Sequence, residues 1–163
     1  MTSRVFIGID PGLTGAIAVI ADGELFDVID MPTVGRGKAG RQTVNSAALA
    51  SHLRECLSSH PGASVQAVVE DVAARPKQGV SGVFRFGHSC GSVAGVLGAM
   101  RIPVDYVAPT RWKRAFGLLG ADKDASRGKA SDLYPGAPIS LKKHHGRADA
   151  ILLARWAYDQ AMA

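Results

Sequence analysis

Only two cysteines occur in this sequence, Cys56 and Cys90, far apart and without paired spacing. That scarcity argues against a disulfide framework or a zinc site, and two reduced, largely buried thiols are expected instead. No apolar run is long enough to span a membrane, and the first residues carry neither an Arg-rich signal nor a leader with a cleavage site. A soluble, cytoplasmic protein without a membrane partner is expected. No internal repeat and no linker interrupts residues 1–163, so one domain with a sizeable core is expected. An acidic excess is missing too: the net charge is +5 and the pI about 9.5. A basic soluble chain points to an acidic partner, nucleic acid first.

What is present begins at residues 5–20. Residues 5–9 form an apolar run typical of a strand buried on both faces. Pro11-Gly12 turns the chain, and residues 15–20 suit an antiparallel return strand. Residues 24–30 read as a third strand, which completes an antiparallel meander. Asp10 therefore stands at the mouth of a buried sheet, where an unpaired carboxylate is costly. It is either a turn residue bonded to nearby backbone N–H groups or a metal-binding or catalytic carboxylate.

Residues 32–42 are polar and glycine-rich, with Arg36, Lys38 and Arg41. They read either as a mobile loop or as a basic flap over a phosphate backbone. Residues 44–59 carry Leu49, Leu53 and Leu57 at helical spacing, with Asn45 or Ser46 as cap. Residues 65–69 form a short apolar strand ending in Glu70-Asp71. Because it follows a helix, it returns parallel to the first strand and delivers those carboxylates to the edge that holds Asp10. A loop over residues 73–87 leads into a small-residue helix from about Gly82 to Met100. A strand over 103–107, short helices over 110–116 and 123–134, a basic loop over 138–146 and a buried closing helix over 147–162 complete the chain. The fold class expected is α/β: a mixed sheet, three antiparallel strands plus parallel ones, flanked by helices.

Three acidic positions thus converge: Asp10, Glu70 (or its neighbour Asp71) and Asp149 near the start of the last helix. His145 lies four residues before Asp149, on the same helical face. Asp149 either complements the helix dipole or binds a metal. Several carboxylates suit Mg²⁺ or Mn²⁺, and one histidine leans toward Mn²⁺. Two such ions can clamp the attacking and leaving oxygens of an in-line phosphoryl displacement.

That order resembles the ribonuclease-H-like nucleases and, more narrowly, the RuvC-type Holliday-junction resolvases of the phage and plastid-like branch. The resemblance covers nearly the whole chain. It rests on Ile7-Gly8-Ile9-Asp10-Pro11-Gly12, Val68-Val69-Glu70, the run from Gln78 to Gly87, Val107-Ala108-Pro109-Thr110-Arg111-Trp112-Lys113, the run from Asp122 to Arg127, and Arg147-Ala148-Asp149-Ala150. It implies a ribonuclease-H-like fold and a homodimer that cuts a four-way DNA junction by paired symmetric nicks. The implied metal ligands are Asp10, Glu70 and Asp149. For the fourth, the family carries Asp or His three or four residues before the last ligand. Those places hold Gly146 and His145, so His145 is assigned, with His144 in reserve. Lysines near the scissile phosphate match Lys113 and Lys123. Basic positions expected on DNA are Arg36, Lys38, Arg41, Arg75, Lys77, Arg85, Lys142 and Lys143. Some relatives wedge an aromatic side chain into the junction just after the catalytic glutamate. Here that place holds Ala73 and Ala74, and Phe84 and Phe86, the possible substitutes, are expected to be buried under the long helix. The compartment would be a bacterial or phage-infected cytoplasm, or an organellar nucleoid.

Three other readings start from the same residues. A nuclease of this fold can act on RNA or an RNA–DNA hybrid. An inactive junction-binding protein would keep the basic surface alone. A kinase of the actin and sugar-kinase group has a similar first phosphate loop but needs a second lobe, for which 163 residues are too few.

Overall fold

The computed structural model describes residues 2–37, 40–74 and 76–163. Strands β1 (Arg4–Asp10), β2 (Ala16–Ala21) and β3 (Glu24–Asp30) form the expected meander. Asp22 and Gly23 both take positive φ, 50° and 90°, in the β2–β3 turn. This conformation matches strand twist in a two-residue hairpin. Helix α1 (Ser46–Ser58) follows, capped by Asn45, whose side chain accepts the Ala48 N–H at 3.1 Å. Strand β6 (Ser64–Glu70) then runs parallel to β1, and β7 (Val104–Val107) parallel to β6. The five-stranded order is β3-β2-β1-β6-β7, with β1 at its centre. Pairing of Ile9 with Val69 and of Asp10 with Ala16 places the ends of β1 and β6 side by side.

The pleat divides the core in two. Val5, Ile7 and Ile9 point to one face, against Leu49 and Leu53 of α1 and Val93 and Leu97 of α2 (Val80–Ala99). Phe6 points to the other, toward helix α5 (His145–Met162). On that face Gly8 lets the two backbones touch. A Cβ there would overlap the Ala150 carbonyl and crowd Ala154. Strand and helix therefore lock at a height that brings Asp149, one residue before Ala150, to the end of the sheet. Gly146 does the same one turn earlier, where a Cβ would sit 2.7 Å from the Thr14 carbonyl oxygen.

Three expectations change. Residues 32–42 are not simply a loop. Strands β4 (Thr33–Arg36) and β5 (Arg41–Val44) form a separate antiparallel hairpin. Gly37 and Gly40, at positive φ, turn the chain between them. The hairpin leans on α2 through His88, whose ring meets Arg36 and Thr43 at 3.2 Å each. Helix α2 also starts at Val80 rather than near Gly82. The remaining helices, α3 (Pro109–Ala115) and α4 (Lys123–Leu133), lie close to their expected bounds. A 3₁₀ turn over Lys142–His144 leads into α5, which takes in His145 and Gly146 from the expected basic loop. Among the described residues, no helix is long and apolar enough to cross a membrane.

Candidate active site

Asp10 ends β1, half-sunk beneath the Pro11–Thr14 turn. Its Oδ1 accepts the Gly12 N–H at 3.3 Å. Burial holds the carboxyl above the usual aspartate range, although the Gly12 N–H and the nearby His145 and Lys113 pull it down. Glu70 ends the neighbouring strand. Its Oε1 accepts Trp112 Nε1–H at 3.1 Å. Burial, then the charges of Asp10 and Asp149, push Glu70 up to about 7, against the Trp112 bond and Lys113. Asp71, the alternative at this strand end, is exposed, so Glu70 is the carboxylate that faces Asp10.

Asp149 comes from the first turns of α5. Burial raises its pKa, and the Ser126 hydroxyl, donated from α4, is the main opposing influence. Its Oδ1 is buried with no hydrogen-bond partner. A buried, unpaired carboxylate oxygen is expensive in a folded protein. Three carboxyls thus share one sheet edge, all held above their ordinary range, one with an unspent acceptor. Cations bound between pairs of them would relieve these costs, since as placed the three do not each bring a ligand atom within 4.8 Å of the other two. An all-oxygen donor set of this kind suits a hard divalent ion.

His145 and Lys113 are the positive or ionisable groups whose charge reaches this cluster. His145 Nδ1 lies 3.2 Å from the Lys142 carbonyl. A carbonyl only accepts, so Nδ1 carries a proton, which leaves Nε2 as the nitrogen through which a neutral ring would bind a metal. His144 is placed differently. It is 8% exposed, its Nδ1 accepts the Leu141 N–H at 3.3 Å, and its surroundings are Arg147 and Asp30. The close approach of Gly146 to the Thr14 carbonyl leaves no room for a ligand side chain at that position.

The other named residues are scattered. Lys113 stands over the Trp112 ring, 5.3 Å from its centroid, beside all three carboxyls. Lys123 is exposed at the start of α4 and is not among the charges that act on them. Arg36, Arg41 and Arg85 line one groove between the hairpin and α2, with Phe84 and Val80. Lys77, after β6, and Lys142 and Lys143, in the 3₁₀ turn before α5, are exposed. Lys38 and Arg75 lie outside the described residues. Phe84 departs from its expected burial and is 74% exposed, because α2 carries it on the side turned away from the sheet. Phe86 is partly buried near the Gly12 turn. Two partners escaped the sequence. Ser126 had no visible signal. Trp112 had one: a tryptophan in a strand-following helix is buried, and its N–H then needs an acceptor.

No family model matches the chain. Over 122 residues, 73% of its length, it is 41% identical to the chloroplastic Holliday junction resolvase MOC1 of Chlamydomonas reinhardtii. It spans 14% of that relative's length. Among solved structures it superposes on T. thermophilus RuvC in complex with a Holliday junction substrate, with a TM-score of 0.63 at 16% identity. That match covers 98% of this chain and 97% of the other. A further Thermus thermophilus RuvC structure gives a TM-score of 0.58 at 19% identity, covering 98% and 96%. The chain has the RuvC fold. The resemblance read from the sequence is borne out, both by this fold and by a relative that bears the name of a Holliday junction resolvase. Within the RuvC fold of this chain, β1, β6 and α5 deliver Asp10, Glu70 and Asp149, while α3 and α4 supply the Trp112 and Ser126 that orient two of them.

Proposed function

We propose that this chain is a divalent-metal-dependent endonuclease that resolves four-way DNA junctions by paired symmetric nicks. The observation that carries the reading is the convergence of three raised carboxyls, one with an unpartnered buried oxygen, at the end of a RuvC sheet. Asp10 would hold both ions, Glu70 one of them, and Asp149 with His145 the other; Mg²⁺ is the natural occupant and Mn²⁺ a competent one. Bound there, the ions supply an activated water and stabilise the charge that develops on the phosphate. The chain's own residues do the positioning. The Gly12 N–H, Trp112 Nε1–H and Ser126 hydroxyl fix the three carboxylates. Lys113 offers its ammonium to a non-bridging phosphate oxygen beside them. The products carry a 5′-phosphate and a 3′-hydroxyl. Two identical sites are needed for symmetric cutting, and the exposed, glycine-rich side of α2 is the surface on which a second copy would pack. The setting is a DNA-bearing cytoplasm or an organellar nucleoid.

The assay that tests this compares a four-way junction, a linear duplex and an RNA–DNA hybrid at equal concentration. The junction alone should be cut, with both nicks made within the lifetime of one complex. Faster cutting of the hybrid would overturn the reading in favour of a ribonuclease of the same fold. Binding should also weaken steeply with salt, by a log–log slope of about −0.9 per phosphate neutralised. Replacing Lys142 and Lys143 together by Ala should make that slope shallower by about 2. An unchanged slope would remove this loop from the DNA path.

His145 is separable from His144. At saturating Mn²⁺, His145→Ala should slow cleavage at least about tenfold, the low end for a lost metal-site interaction. His144→Ala should cleave at close to the normal rate once folded. The reverse ranking would give the metal to His144.

A further inference from the structure

A second group of metal-ligating side chains lies on the opposite side of the sheet from α5. Asp27, on edge strand β3, faces His52 and Cys56, one turn apart on α1. Among the described residues, this is the group of three His, Cys, Asp or Glu side chains whose ligand atoms all lie within 4.8 Å of one another. His52 Nε2 stands 3.6 Å from Cys56 Sγ and 3.6 Å from Asp27 Oδ2. An N···O separation of that length is too long for a hydrogen bond. It is the right length for something else. With Zn–S about 2.3 Å and Zn–N and Zn–O about 2.0–2.1 Å, tetrahedral coordination sets N···S at about 3.5 Å and N···O at about 3.4 Å.

The surroundings fit a cation as well. Asp27 Oδ1 accepts the Val28 N–H at 2.8 Å, which turns Oδ2 toward His52. Cys56 is 4% exposed. Asp27 is half-exposed, which leaves a fourth position open to water.

We propose that Asp27, His52 and Cys56 form a second metal site, for a zinc-type divalent cation, which fastens edge strand β3 to helix α1. Binding forms the metal–sulfur bond and releases the Cys56 thiol proton to solvent. The mixed sulfur, nitrogen and oxygen donors select a softer ion than the carboxyls of Asp10, Glu70 and Asp149 do. The two sites therefore fill independently in a cell that holds both Mg²⁺ and Zn²⁺. Pinning β3 also removes a free sheet edge from the list of segments that open locally. Sequence spacing hides this site, because one ligand is on a strand 25 residues before the other two begin.

The test uses the full-length, metal-stripped protein carrying Cys90→Ser, so that Cys56 is the one thiol. It is titrated with Co²⁺ in excess Mg²⁺, which keeps the carboxyl site occupied. One equivalent should produce a sulfur-to-cobalt charge-transfer band with the visible bands of a tetrahedral ion, and one equivalent of Zn²⁺ should bleach them. Cys56→Ser should abolish the charge-transfer band. Asp27→Asn, a half-exposed and isosteric change that spares the core, should weaken Co²⁺ binding at least tenfold and lose the gain in Tm that Zn²⁺ gives the parent. Absence of a charge-transfer band at equivalence overturns the proposal. So does a band that survives Cys56→Ser, or a Zn²⁺-induced rise in Tm that Asp27→Asn keeps in full.

Discussion

Asp10→Asn should bind a four-way junction within about twofold of the parent and cut it at least about 10²-fold more slowly, beyond the upper end for loss of an outer-shell metal partner. The binding arm follows from where the positive charge lies. Arg36, Arg41, Lys142 and Lys143 sit on the hairpin and on the turn before α5, and this substitution alters none of them. The cleavage arm follows from position. Asp10 ends the central strand between Glu70 and Asp149, and its charge is felt by both. Asn keeps an oxygen for the Gly12 N–H. The fold survives, and without metal it gains, because a carboxylate that burial penalises has gone. Gel-shift and single-turnover cleavage on the same labelled junction check both arms. Cleavage near the parental rate would take Asp10 out of the reaction.

The same carboxyls make the metal-free protein lose stability as pH rises. Glu70 has a folded-state pKa of about 7 against an ordinary 4.5. Between those values the native state holds a proton that the unfolded state has lost, so the free energy of unfolding falls with increasing pH. Stability is fully present below about 4.5 and is lost as pH passes through about 7. For Glu70 alone the loss is on the order of 3 kcal/mol. Asp10 and Asp149 are raised too and add to it. Asp30, bonded to Arg147 at 2.7 Å, is shifted the other way, and its contribution disappears only at more acid pH. Thermal melts in EDTA from pH 4.5 to 8 should show Tm falling across this window. Saturating Mn²⁺ should abolish the fall, and Glu70→Gln should flatten it in EDTA. A metal-free Tm that rises steadily from pH 4.5 to 8 would show that these carboxyls are not under strain.

Much of this was legible because the relevant signals are local. Residues 5–30 alternate apolar strands with Pro11-Gly12 and Asp22-Gly23, and the strands fall where that punctuation puts them. Helix α1 precedes β6 and carries the chain back to the start of the sheet, so β6 returns parallel to β1 and brings Glu70 next to Asp10. Residues 33–44 were obscure because four-residue polar strands have too little periodicity to separate from a loop. Phe84 was misplaced because an aromatic side chain at the start of a small-residue helix reads as core, while α2 turns it outward. The bonds that hold the carboxylates were hidden for a different reason. Trp112 meets Glu70 across 42 residues of chain, and Ser126 meets Asp149 from another helix. Neither meeting leaves a trace in spacing. Gly146 looked like a gap in the ligand pattern, and packing explains it: the turn after β1 occupies the space where a side chain would go.

Anomalous diffraction from crystals soaked in Mn²⁺ tests the metal centre most directly. The account predicts two manganese peaks at the end of β1, with Asp10 touching both, Glu70 on one, and Asp149 with His145 on the other. Absence of manganese between Asp10, Glu70 and Asp149 at concentrations that support cleavage would contradict it.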